Sequence, residues 1–290
     1  MKRLLLFVTA VMILAACGSG SDSSSRKKKE RFGWSDQTLY GDVKSVTKEQ
    51  YVLEGEFGAE TLGKLQYRYI YNFDRSHGNC TERIEYEYPN EHIRRYTYVY
   101  DSEGKCIEMK LRLGLSDKLL YAMFTYEYDS NGNLISSSDH GMQGNSYICF
   151  TSVYDNAGNC VESNVYDYDG SLAQKVIFKH DSNGNIVEEV RYNRDGELLG
   201  KFTYTLNSDN KWIEKNVFGS DGNLVQKGVA AYDDEGNRIV EVFDSHGEPI
   251  KKNIISYDTH KNQRESKSYT NIAGVWIPES IIKYEIEYFE

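Results

Sequence analysis

An aromatic residue, an acidic or amide residue and, a few positions on, a glycine recur along most of this chain at a nearly constant spacing. The acidic or amide position falls at Asp74, Asp101, Asp129, Asp155, Asp181, Asn207, Asp233 and Asp258, with intervals of 25 to 28 residues, mostly 26. The fullest copies are Tyr128-Asp129-Ser130-Asn131-Gly132-Asn133 and Tyr154-Asp155-Asn156-Ala157-Gly158-Asn159. A fixed period of this length limits the chain to a tandem array of one supersecondary unit. The motif has turn chemistry. Asp accepts hydrogen bonds from backbone N–H groups just downstream. Gly takes the left-handed conformation that closes a type I turn with a bulge. Asn210 stands at the Gly position of one copy and tolerates that conformation. Lys261 stands there in another, and a looser turn is expected.

A second set of turns lies about 12 residues after the anchor glycines, at Tyr168-Asp169-Gly170, Arg194-Asp195-Gly196, Ser220-Asp221-Gly222 and Ser245-His246-Gly247. The segments between turns alternate with period two. Ile186, Glu188, Val190 and Tyr192 oppose Val187, Glu189 and Arg191, and Leu198, Phe202, Tyr204 and Leu206 oppose Leu199, Lys201, Thr203 and Thr205. That period means strand, and 24 Tyr with only three Pro suit a long ladder. The expected fold is all-β: a curled or C-shaped single-layer antiparallel meander of about 16 to 18 strands, since open twisted sheets rarely exceed about ten without curling. Charge in mid-strand on both faces opposes a membrane barrel and a two-sheet sandwich.

The Tyr-Asp-x-x-Gly-Asn unit resembles the YD (Rhs-type) repeat of bacterial surface and secreted shells. The stretch Tyr40-Gly41-Asp42-Val43-Lys44-Ser45-Val46-Thr47 resembles the opening strand of small lipoproteins that carry such repeats. The resemblance covers residues 38–290 and implies an architecture. In large members the repeats wrap a cargo, and a Pro-rich core motif precedes a C-terminal toxin. This chain has no such motif, so toxin delivery is not implied.

The N-terminus reads as an export signal. Lys2 and Arg3 precede an apolar run from Leu4 to Leu14, too short to span a bilayer. The run ends in Leu14-Ala15-Ala16-Cys17, which resembles the lipobox of bacterial lipoproteins and implies acylation of Cys17, with two chains giving stable anchoring. Residues 1–16 are thus expected to be the signal peptide, 17–37 a lipidated flexible tether and 38–290 the repeat domain. The segment Gly18–Arg31 has no hydrophobic residue with which to bury a face. Its run Arg26-Lys27-Lys28-Lys29 keeps the linker solvated or meets anionic head groups. From Phe32 onward, 27 basic face 42 acidic residues, a net charge of −15. That balance argues against nucleic acid and favours neutral or basic ligands over anionic glycans.

No nucleophile–base pair, phosphate loop or carboxylate dyad stands out, so no enzyme is expected; a catalytic site of unrecognised pattern is the remote alternative. His77 and His260 share a turn position with Ala157 and Glu235, which excludes a recurrent metal ligand, and no cofactor is implied. Asp167-Tyr168-Asp169-Gly170 has Val176 where a calcium loop needs its bidentate Glu. Cys80, Cys106 and Cys160 occupy one small apolar position after the turn, two strands apart and too distant for disulfides; Cys149 lies in another phase. Trp212 and Trp276 break the pattern without an evident packing partner, and are the candidate ligand-binding residues. The expected function is a non-catalytic cell-envelope surface, anchored in the membrane, most simply the outer one, that binds a glycan or envelope protein. A structural or scaffolding lipoprotein is the alternative.

Overall fold

The computed structural model describes residues 39–90, 92–115, 120–141 and 146–290. The signal segment, Cys17 and the tether lie outside the described residues. The described chain is an antiparallel meander of 18 strands. The strands are β1 (Val43–Glu56), β2 (Ala59–Phe73), β3 (Cys80–Glu87), β4 (His92–Tyr100), β5 (Cys106–Leu113), β6 (Leu120–Tyr128), β7 (Leu134–His140), β8 (Ser146–Tyr154) and β9 (Cys160–Tyr166). They continue as β10 (Leu172–His180), β11 (Ile186–Asn193), β12 (Leu198–Leu206), β13 (Trp212–Phe218), β14 (Leu224–Tyr232), β15 (Arg238–Asp244), β16 (Pro249–Tyr257), β17 (Gln263–Ile272) and β18 (Val275–Tyr288). Two compact units divide the chain: a central unit of Phe124–Lys227, and a terminal unit made of the described residues up to Met123 together with Gly228–Glu290.

Turn chemistry builds both units. In seven of the eight anchor turns, and in the four intermediate turns, the first residue's N–H bonds the carbonyl four residues on, and its own carbonyl accepts the N–H three residues on. Asp129 is representative: its carboxylate also accepts the N–H of Asn131 and Asn133, both within 2.9 Å. The Asp74 turn carries one extra residue, so Gly78, not the third residue on, closes it. Asn210 takes φ 58° as expected. Lys261 corrects the expectation of a looser turn. It adopts φ 69° and keeps the same pair of backbone bonds, because Asp258 still accepts the N–H of His260 and Asn262 at 2.9 and 2.8 Å. The side-chain cap holds a conformation that Lys alone disfavours.

Consecutive repeats are stapled by the anchor tyrosines. Tyr100 donates its hydroxyl to the Cys80 carbonyl at 2.6 Å, and Tyr154 to the Leu134 carbonyl at 2.9 Å. The strand ladders place Phe73 opposite Cys80, Tyr100 opposite Cys106 and Tyr154 opposite Cys160. The four described cysteines are free, and those three are buried, as a small apolar packing position requires. In the central unit Cys160, Val176 and Phe178 form a core with Tyr154 and Ile186 against it; burying a side chain such as Phe178 contributes about 2–3 kcal/mol. Cross-strand ion pairs, Lys175–Glu162 at 2.7 Å and Lys179–Glu188 at 2.6 Å among them, line solvated positions and each is worth about 0–1 kcal/mol.

A curled meander that stayed open would leave its first and last strands each with a bare edge. Instead β1 pairs with β2 on one side and with β18 on the other: Val46 faces Tyr71 in one ladder and Ile286 in the second. Pairing satisfies the backbone groups that an exposed edge would offer to another chain. It also brings two sequence-remote ends of the array onto one sheet face. There Val43, Val46, Phe73 and Cys80 form a core, with Tyr71, Tyr98, Tyr284 and Ile286 packed on it.

Candidate functional site

The β18–β1 pairing assembles two neighbouring rows of side chains across five strands. One row runs Tyr284, Lys48, Tyr69, Glu85, Arg94; the next runs Ile286, Val46, Tyr71, Arg83, Tyr96. Each row is read from cross-strand partners, and partners share a face. The strands form because Val, Ile and Tyr dominate them, and the odd-even alternation then sends Lys48, Arg83 and Glu85 to the aromatic side.

Glu85 is the hub of this site. It pairs with Arg83 at 3.0 Å and Arg94 at 3.8 Å, and accepts the Tyr96 hydroxyl at 3.2 Å. Arg94 also reaches Glu87 at 3.6 Å. The Arg83 guanidinium lies 3.9 Å from the Tyr96 ring centroid. The Lys48 ammonium sits between two rings, 5.3 Å from Tyr69 and 5.9 Å from Tyr284, a cation–π arrangement. Accessibility falls along β4 and across to β3, from His92, whose side chain is 66% exposed, through Arg94 at 27% to its cross-strand partner Glu85 at 17%. Arg83 lies deep among neighbouring atoms yet keeps 26% of its side chain accessible, as a group lining a concavity does.

Electrostatics follow from that depth. Burial, aided by the charge of Arg83 and opposed by Glu85, lowers the pKa of Lys48. Burial raises the tyrosines: Tyr71 and Tyr284 to about 12, and Tyr98 well above its ordinary value. These hydroxyls are therefore neutral donors near pH 7.

Trp212 and Trp276 do not belong to this site, and they fall in different units. Trp276, on β18, is half-buried and packs on a cluster of Leu53, Tyr269 and Ile281, with the Lys252 ammonium 4.6 Å from its ring. The expectation that it lacks a packing partner is corrected. The β1–β2 hairpin supplies that surroundings: Phe57 meets Tyr269 edge-on at 4.9 Å, and Glu60 accepts the Tyr269 hydroxyl at 2.9 Å. Trp212 begins β13, half-buried, opposite Leu206; it occupies the post-turn position that is Cys160 and Ile186 in earlier repeats. In the central unit a related cluster forms, in which Arg191 and Lys215 lie 4.8 and 4.9 Å from the Phe202 ring, and Glu189 binds Arg191 at 2.5 Å.

Sequence reading did not reach the Lys48–Arg83–Glu85 site. Each residue looks like an ordinary mid-strand charge, and only the β1–β18 register shows that they share a face with Tyr284. The usable signal was the density of Tyr at alternate positions in Tyr67-Arg68-Tyr69-Ile70-Tyr71 and Tyr96-Thr97-Tyr98.

No family model matches this chain, and no curated protein matches it. Solved structures give low-scoring likenesses. The Tc holotoxin pore of Photorhabdus luminescens is 10% identical over 89% of this chain, with a TM-score of 0.39, and this chain spans 13% of that one. A porin-like protein from Bacteroides uniformis is 9% identical over 86% of this chain and 99% of its own, with a TM-score of 0.40. An outer membrane lipoprotein-sorting protein domain from Vibrio parahaemolyticus is 7% identical over 85% of this chain and 86% of its own, at 0.21. At these scores none of them assigns a role to this chain.

Proposed function

We propose that this protein is a non-catalytic, lipid-anchored recognition protein of the bacterial cell envelope, with a glycan bound in the tyrosine-lined concavity of the terminal unit. The carrying observation is the Tyr69–Lys48–Tyr284 row beside the Arg83–Glu85–Arg94 network. Ring faces stack on sugar rings, and the charged fork supplies directional donors and acceptors. The repeats act as scaffold: their Asp and Gly residues are engaged in turns, and both Arg and Glu of the network are held in place by partners. The test is glycan-array binding by the full chain in detergent. Saturable binding to a defined glycan is expected; an empty array with folded protein removes glycan recognition and leaves scaffolding.

Docking of an envelope protein is a second reading, favoured by the β17–β18 hairpin tip, where Ile272 (61%), Val275 (59%) and Ile277 (41%) are exposed. An exposed apolar cluster of this kind is common at protein interfaces. Anchoring rests on Cys17 alone. Cys17→Ser is expected to leave an unacylated, uncleaved precursor in cell fractions. Wild-type cleavage and membrane retention of that variant would contradict the anchor.

A further inference from the structure

The concavity of the terminal unit holds more hydrogen-bond donors than acceptors. Among the described residues, Lys48 has no carboxylate within ion-pair distance; its contacts are the Tyr69 and Tyr284 rings. The Arg83 Nε–H is buried without any hydrogen-bond partner, since that guanidinium reaches Glu85 through Nη2. Burial raises the pKa of the Tyr284 hydroxyl to about 12, so it stands as a neutral donor. Glu85, the acceptor at the centre, is already taken by Arg83, Arg94 and the Tyr96 hydroxyl. A buried donor left unpaired costs about 1–3 kcal/mol, and native structures rarely leave one without a reason. Local charge has the same sign: Lys48, Arg83 and Arg94 face Glu85 and Glu87. The net charge of the chain is negative, but solvent screens it beyond about 8 Å at physiological salt. Within the concavity the nearby cations decide, which reverses the preference for neutral or basic ligands expected from net charge.

We propose that the ligand of this concavity is an acidic sugar, its carboxylate received by the Lys48 ammonium, between the Tyr69 and Tyr284 rings, and by the accessible side of the Arg83 guanidinium. The proposal rests on the recognition reading above and names its ligand class. A carboxylate fits because it is an acceptor-only group with lone pairs for several donors. A neutral sugar hydroxyl would satisfy one donor and bring another.

The test uses paired probes on the full chain in detergent: glucuronate, galacturonate and sialyl oligosaccharides, each beside its methyl ester. The acid of at least one pair is expected to bind about tenfold tighter than its ester, as one charged hydrogen bond implies, and to weaken as salt rises. Lys48→Met should remove that preference, the acid losing about tenfold more affinity than its ester, and Lys48→Arg should retain it. Removing an uncompensated buried cation does not threaten the fold, and circular dichroism checks this. Equal affinity for acid and ester in every pair overturns the acidic-sugar assignment and leaves glycan recognition standing. Failure of every probe to bind the folded protein also overturns the acidic-sugar assignment, while only an empty glycan array removes glycan recognition itself.

Discussion

Glu85→Ala is expected to destabilise the protein by about 3 kcal/mol, the scale for removing one partner of a buried ion pair. Glu85 is the carboxylate to which Arg83 is bound, at 3.0 Å, and it shares Arg94 with Glu87. Its loss would leave Arg83 beside Lys48 with no compensating anion in the row. Glu87→Ala is the control. It removes a carboxylate from the same Arg94, but at the rim, where Glu87 is 32% exposed, and the expected cost is below about 1 kcal/mol. Urea unfolding of both variants reads the difference, with the slope unchanged. Equal midpoints would mean that the network is solvated rather than built into the concavity.

Gly184→Val is the second large effect. Gly184 sits at φ +81°, and a Cβ there would lie 2.7 Å from Asn159 Oδ1 of the preceding repeat. Asn159 cannot step aside freely, because its side-chain amide donates to Asp155 at 3.0 Å. Gly196 has nearly the same conformation, φ +80°, with open space where its Cβ would be. Gly196→Val therefore measures the conformational cost alone, about 2 kcal/mol. Gly184→Val adds a displaced hydrogen bond and is expected to cost about 1 kcal/mol more. Thermal melts of the pair decide. Identical losses would show that anchor turns do not pack on one another.

This contrast explains what the sequence made legible. Turns are local, so Asp129, Gly132 and their copies announce hairpins from spacing alone, and strands follow from the period-two segments between them. The Asn after an anchor Gly, as at Gly158-Asn159, has a role that spacing does not reveal. Asn159 touches Gly184 of the next repeat, a contact that exists only once hairpins stack. Lys261 misled because turn propensity was weighed without the Asp258 cap. Trp276 misled because its cluster is completed by Leu53 of β1, more than two hundred residues away in the chain, beside Tyr269 and Ile281 of its own hairpin. The site was hidden for the same reason: Lys48, Arg83 and Tyr284 meet through one non-local pairing, β1 with β18. Period two assigns residues to alternate sides of a strand, but it does not say which strands from the two ends lie together.

Carbon-13 NMR of tyrosine-labelled protein, titrated with the glycan found on the array, tests the central claim most directly. The ring signals of Tyr69, Tyr96 and Tyr284, assigned by single Tyr→Phe substitutions, are expected to shift together and saturate with the binding isotherm. Saturable binding that leaves those three signals unmoved, with changes confined to Tyr269 beside Trp276 or to the central unit, would contradict the assignment of the ligand to the concavity.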